Sequence, residues 1–171
     1  MKNYEAKTVG LFGTCGSSKW REPFIKRLDE LGVSWYNPCR EDWDAEEDSF
    51  QLKNDRIILM PVTDETYGTG TLSESAFGVV TTLASVYQKS AKLVIYFAPE
   101  VKYDEENPNL SNSVAVKESN RARKIVAEHI KVFDNLPNVY FVDSLEKMLD
   151  VTEKLVELVN LEDSIREITK Q

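Results

Sequence analysis

The sequence predicts an α/β protein: a three-layer, Rossmann-like (flavodoxin-like) sandwich around a mostly parallel five-stranded sheet. Short apolar runs alternate along the chain with stretches whose apolar residues recur at helical spacing, the pattern of strand-helix-strand units. The central run, Ile57 to Val62, is apolar throughout and lacks the polar alternation of a strand with one wet face, so both its faces should be covered. At 171 residues the chain suits one domain, 1–171, with 160–171 as a docking tail.

Thr8 to Phe12 reads as the first strand, followed by the loop GTCGSS (13–18) and then a helix. Pro23 suits that helix's first turn, Phe24, Ile25, Leu28 and Leu31 supply its buried face, and Gly32 is placed to end it. Val33 to Tyr36 forms a second strand that stops at Asn37-Pro38, because a residue before proline avoids the helical region. Acidic residues fill 39–55, where a loop and a short helix are anchored by Trp43, Phe50 and Leu52. After the central strand, the loop Thr63 to Thr71 leads into a helix that carries Glu74 in its first turn. Ala91 to Phe97 is the fourth strand, and a loop of about 15 residues follows, a length typical of lids and binding loops. A helix over 114–133 buries Ala122, Ile125, Val126, His129, Ile130 and Phe133. Val139 to Val142 is the last strand. Asp143-Ser144 caps the last long helix, in which Leu145, Met148, Leu149 and Leu155 face inward. Leu161, Ile165 and Ile168 continue a helical stripe that docks either on its own domain or on a symmetry mate.

Composition excludes several classes. Hydrophobic residues at 42% and charged residues at 29% are ordinary for a globular protein. The net charge of -8, with no basic stripe, argues against nucleic acid or an anionic membrane as partner, though not against a small anion. No apolar run approaches the ~20 residues of a bilayer span, and MKNYEAK leads directly into a strand, so a cytoplasmic location is expected. Cys15, Cys39 and the single His129 offer neither a disulfide framework nor a zinc site, and no metal or cofactor is expected.

In open α/β sheets ligands sit outside the carboxyl ends of the strands, beside helix N-termini. Two loops should meet there. GTCGSS offers close backbone approach at Gly13 and Gly16, hydroxyls at Thr14 and Ser17, and Arg21 just beyond, the parts of an anion cradle, although no Walker pattern is present. Tight-turn glycines with a serine cap would look the same. Glu74, entering from the second loop, is either a helix-start charge favoured by the macrodipole or a reactive carboxylate. Cys15 and Arg21, with five residues between them after a strand, also resemble the phosphate loop of low-molecular-weight tyrosine phosphatases and arsenate reductases. Glu22 stands where that family has Ser or Thr, and a carboxylate there opposes both thiolate and phosphate.

A broader resemblance runs from about Val9 to Ile95: GLFGTCGSSKWREPFIKRL, WYNP, Trp43 with acidic residues after it, NDRIILMPV and GTGTLSESAFGV, in that order. It is similar to the nucleoside 2-deoxyribosyltransferase superfamily, in its compact bacterial and phage-type branch, related to the 2'-deoxynucleoside 5'-phosphate N-hydrolases. The resemblance implies N-glycosidic chemistry on a nucleoside or nucleotide, with Glu74 as the nucleophile that forms a glycosyl-enzyme. A carboxylate suits an oxocarbenium-like transition state, which it stabilises and then bonds. By the same resemblance, Glu46, Glu47 or Asp48 supplies a second acid, with Asp48 preferred. Flat bases stack on aromatic faces, so Trp20, Tyr36 and Trp43 are candidate pocket walls. Asn37 is a candidate hydrogen-bonding partner for sugar or base, and the GTCGSS loop is a candidate seat for a 5'-phosphate. Gly68 stands six residues before Glu74, where many transferases have an Asp for the sugar hydroxyls, and Thr69 or Thr71 would stand in. Relatives commonly complete the site across a dimer, so a homo-oligomer is expected. A module that binds nucleotides without turnover is the alternative from another class.

Overall fold

The structure, a computed structural model, describes residues 3–73, 91–131 and 136–170. The elements are β1 (Val9–Leu11), α1 (Arg21–Glu30), β2 (Trp35–Tyr36), α2 (Ala45–Asn54), β3 (Ile57–Val62), β4 (Lys92–Phe97), α3 (Ser113–Ile130), β5 (Val139–Val142) and α4 (Leu145–Thr169). The five strands form one sheet in the order β2-β1-β3-β4-β5, and every pairing is parallel. This is the three-layer Rossmann-like fold expected from the sequence, with no antiparallel strand among those described.

The continuous apolar run makes β3 the centre of the sheet. All six of its residues are buried, and it pairs with β4 along its full length, from Ile57↔Lys92 to Val62↔Phe97. Its side chains alternate between two cores, as the period of a strand requires. Ile57 and Leu59 join Val9, Leu11 and Val94 against Phe24 and Leu28 of α1 and Met148, Leu155 and Val159 of α4. Ile58 and Met60 join Phe12, Leu93 and Ile95 against Ile130 of α3, with Leu52 of α2 packed alongside.

Helix ends follow their local chemistry. Asp44, Asn112 and Ser144 each accept backbone N–H bonds as N-caps of α2, α3 and α4. α1 closes in a Schellman arrangement: Gly32, with φ 65°, donates to Asp29, and Val33 donates to Leu28. That geometry ends the helix before Leu31, which is 41% exposed and not part of the buried face.

Other expectations are corrected. Trp43 is 55% exposed and is no apolar anchor, whereas Gln51 is the buried residue of α2. The inward face of α3 is Val116, Ser119, Arg123 and Ile130, so Ile125 and His129 point outward. Phe133 lies outside the described residues. Helical structure after β3 starts at residue 69, and its first turn closes with the Leu72 N–H on the Gly68 carbonyl. The turn is thus complete before Glu74 is reached. The stripe Leu161, Ile165 and Ile168 continues α4 without a break and stays 58%, 53% and 73% exposed, so it does not dock on its own domain. α4 is tied to the N-terminal ends of the central strands by Arg56 with Asp163 (2.9 Å) and Lys92 with Glu162 (3.0 Å). Among the described residues no helix is long and apolar enough to cross a membrane.

Candidate functional site

The strand order reverses between β1 and β3, so the chains leaving their carboxyl ends diverge and open a crevice at the rim of the sheet. A cleft of about 330 Å³ lies there. Residues 13–15 of the β1 loop, 66–71 of the β3 loop, and 108–109 of the long loop after β4 line it.

The β1 loop is fixed by what it touches. Gly13 has φ 106°, and a Cβ on it would lie 2.6 Å from the Pro61 carbonyl oxygen, so only glycine lets the loop press against β3. Thr14 is buried and stitches the two strand ends together: its backbone N–H and its hydroxyl donate to the Pro61 carbonyl, and the hydroxyl accepts from the Thr63 N–H at 2.9 Å. The Thr14 carbonyl accepts from the Trp20 indole at 2.9 Å and from Arg21 at 2.6 Å. Arg21 also donates to the carbonyls of Leu11 (2.9 Å) and Gly13 (3.1 Å) and to the Cys15 sulfur (3.3 Å). Trp20 and Arg21 therefore stand behind the loop, buried, with Trp20 packed edge-on against Phe24. Neither lines the cleft.

A second buried arginine holds the other wall. Arg123 of α3 is 1% exposed and donates to the carbonyls of Val62 (3.1 Å), Thr63 (2.6 Å) and Thr66 (3.0 Å). Burial lowers its pKa, against the opposing pull of Asp64. Arg123 also accounts for Gly68. A Cβ at that position, where φ is 65°, would lie 3.0 Å from the Arg123 guanidinium, so an aspartate there would strain the backbone and crowd the arginine.

The long loop after β4 straps the cleft. Asn120 holds Val101 through both its N–H (2.7 Å) and its carbonyl (2.9 Å), and Val101, Leu110 and Val116 form a small core with Tyr67 against it. The Tyr67 hydroxyl accepts from the Asn112 N–H at 3.0 Å, and the Ser119 hydroxyl donates to the Tyr67 carbonyl at 2.6 Å. Asn109 then reaches across to donate to the Ser17 hydroxyl at 3.0 Å. Sequence reasoning assigned no role to Asn109, Tyr67 or Arg123; a polar residue on the inward spacing of α3 was the available signal for the last.

Glu65 was also missed. It accepts from the hydroxyls of Ser18 and Thr63, the latter at 3.2 Å, and lies 3.4 Å from the Lys19 N–H, joining the β3 loop to the start of α1. An Asp-Glu pair directly after the C-terminus of the central strand was its signal.

Of the residues singled out from the sequence, Gly13, Thr14, Cys15, Gly68, Thr69 and Thr71 line the cleft, and Gly16 and Ser17 continue the same loop. Tyr36, Asn37, Trp43 and Asp48 gather instead at the end of β2, and none of them lines this cleft. The Tyr36 hydroxyl donates to Asp48 at 3.3 Å, and Arg40 stacks over the Tyr36 ring at 5.5 Å while pairing with Glu47. Burial raises the Asp48 carboxyl pKa, opposed by its hydrogen bonds to Tyr36 and Trp43. Burial likewise pushes Tyr36 above the usual phenol range. The Asn37 side chain accepts from the Cys39 N–H at 2.9 Å and so closes its own turn. Among the described residues, no three His, Cys, Asp or Glu side chains converge as a metal-binding group. The described chain stops at Ser73, so Glu74 lies outside the described residues. No protein-family model matches the chain, and no curated protein matches it.

Proposed function

We propose that this protein cleaves or transfers the N-glycosidic bond of a nucleoside or nucleotide, with Glu74 as the nucleophile. The observation that carries the reading is the cleft at the sheet's reversal point, one wall of which, residues 66–71, runs within three residues of Glu74 along the chain. Its lining includes glycine backbone, threonine hydroxyls and an asparagine amide, groups that hydrogen-bond sugar hydroxyls, beside Cys15, Tyr67 and Pro108. In the first step a Glu74 oxygen bonds to the anomeric carbon as the carbon-nitrogen bond breaks. The electron pair leaves with the base, which takes up a proton. In the second step water or another base attacks the same carbon and releases the carboxylate. Asp48 and Tyr36 lie at the end of β2, away from the cleft's described lining, and are given no part in either step.

The Cys15–Arg21 pair supports phosphoryl transfer less well. A phosphate cradle needs backbone N–H groups and the guanidinium aimed at the anion, but here Arg21, although it also touches the Cys15 sulfur, spends donors on the carbonyls of Leu11, Gly13 and Thr14. The test is product analysis with a panel of nucleosides and 5'-nucleotides, with and without an acceptor base, for the native protein and Glu74→Ala. Base released or exchanged by the native protein, with a loss of at least ~10³-fold in the variant, is the expected result. Binding without release by the native protein would overturn the enzymatic reading in favour of a binding module.

A further inference from the structure

Three donors between the start of α1 and the end of β3 already have an anion. The Ser18 hydroxyl, the Thr63 hydroxyl and the Lys19 N–H all point at the Glu65 carboxylate, which enters from the β3 loop. These groups are what a glycine- and serine-rich loop ahead of a helix otherwise presents to a phosphate. Among the described residues, no charged side chain lines the cleft beside them. Arg21 and Arg123, the cations behind its two walls, face backbone carbonyls, and Asp64 lies within electrostatic reach of Arg123. Residues 74–90 contain one basic residue, Lys89, at the far end of that segment.

We infer that Glu65 is a specificity-determining residue: its carboxylate occupies the anion seat of the β1 loop, so that the cleft accepts the neutral sugar end of a nucleoside and rejects the same nucleoside carrying a 5'-phosphate. The inference rests on the proposed function for the identity of the ligand and deepens it. Two effects act together. The phosphate finds its hydrogen-bond donors taken, and its charge faces a carboxylate at short range, where like charges repel with little screening. Glu65 is exposed, so water solvates its outer side, and its inner contacts hold the two loops in register. The glutamate thereby supplies within the chain the anion that a phosphorylated ligand would bring.

The test is calorimetric binding of 2'-deoxyadenosine and 2'-deoxycytidine, each beside its 5'-monophosphate, to the native protein and to Glu65→Gln at fixed ionic strength. Gln keeps an acceptor for Ser18 and Thr63 and removes the charge. The native protein should favour the nucleoside by about tenfold or more, and the variant should narrow that gap by about fivefold or more through tighter monophosphate binding. Equal or tighter binding of the monophosphate by the native protein, an unchanged gap in Glu65→Gln, or no binding of either ligand would overturn the inference. Because the readout is binding, the two proposals fail separately. A nucleoside that binds selectively without losing its base removes the catalytic reading alone, and base release confined to monophosphates removes the role of Glu65 alone.

Discussion

Arg21 and Arg123 are buried for one reason: each gathers carbonyl oxygens at the end of a strand and in the loop that follows it. A guanidinium suits this because its donors fan out in a fixed plane and it keeps its charge where a lysine would neutralise. Sequence position marks Arg21 as an anion ligand, but its direction is set by where the loop's carbonyls point, and no sequence pattern records that. Asp55 is the opposite case, a buried acid with one partner. Its Oδ1 accepts from the Lys7 N–H at 2.8 Å, and its Oδ2, like Oε1 of Gln51 one helical turn earlier, has no hydrogen-bond partner among the described residues. Burial pushes its pKa up to about 7, against the pull of Lys7. An unfolded aspartate titrates near 4, so between about pH 4 and 7 the unfolded chain releases a proton that the native protein keeps, and stability falls as pH rises. Above about pH 7 this contribution is constant. Asp55→Asn keeps the Lys7 acceptor, adds a donor on the orphan side, and should stabilise the protein at pH 8 by roughly 2–4 kcal/mol relative to its effect at pH 4. Denaturant unfolding across that range checks it, and a pH-independent difference would contradict it.

At the scale of elements, the loop over 98–112 is a built strap. Asn120 does for Val101 what a neighbouring strand would do, pairing with both its N–H and its carbonyl. Asn120→Ala leaves those two backbone groups without their partner and should cost about 1–3 kcal/mol, with hydrogen exchange accelerating at Val101 before it does in β3. Uniform acceleration across the protein would mean the strap has no local stability of its own. The sequence made the loop visible by length and polarity, yet its contacts join residues as distant as Asn109 and Ser17, which no local pattern links. Strands and caps were legible because they depend on neighbours: the apolar run of β3, the Ser144 cap and the Gly32 stop all stand where expected. The face of α3 was misjudged because apolar periodicity selects Ile125, while the inward position belongs to Arg123 and its carbonyls. In α4 the stripe of Leu161, Ile165 and Ile168 was legible, but its exposure was not, since that depends on where the sheet ends beneath it.

For the whole molecule, the strand order is what gathers the candidate site. Reversal between β1 and β3 brings residues 13–15 and 66–71, distant in sequence, to one rim, and the two arginines fix those walls before any ligand arrives. The alternating apolar runs made this architecture readable, and the glycine-rich loop after β1 marked half of the cleft. The residues grouped around Tyr36 and Asp48 lie at the end of the edge strand β2, so the sequence pattern joined two clusters that the described structure keeps distinct. Covalent capture separates the proposed chemistry from mere binding. The measurement is the intact mass of the protein after rapid acid quench with saturating 2'-deoxynucleoside and no acceptor, followed by peptide mapping. A deoxyribosyl increment on the peptide that contains Glu74, absent from Glu74→Ala, is the predicted result. Base release from the native protein that persists undiminished in Glu74→Ala would contradict the account.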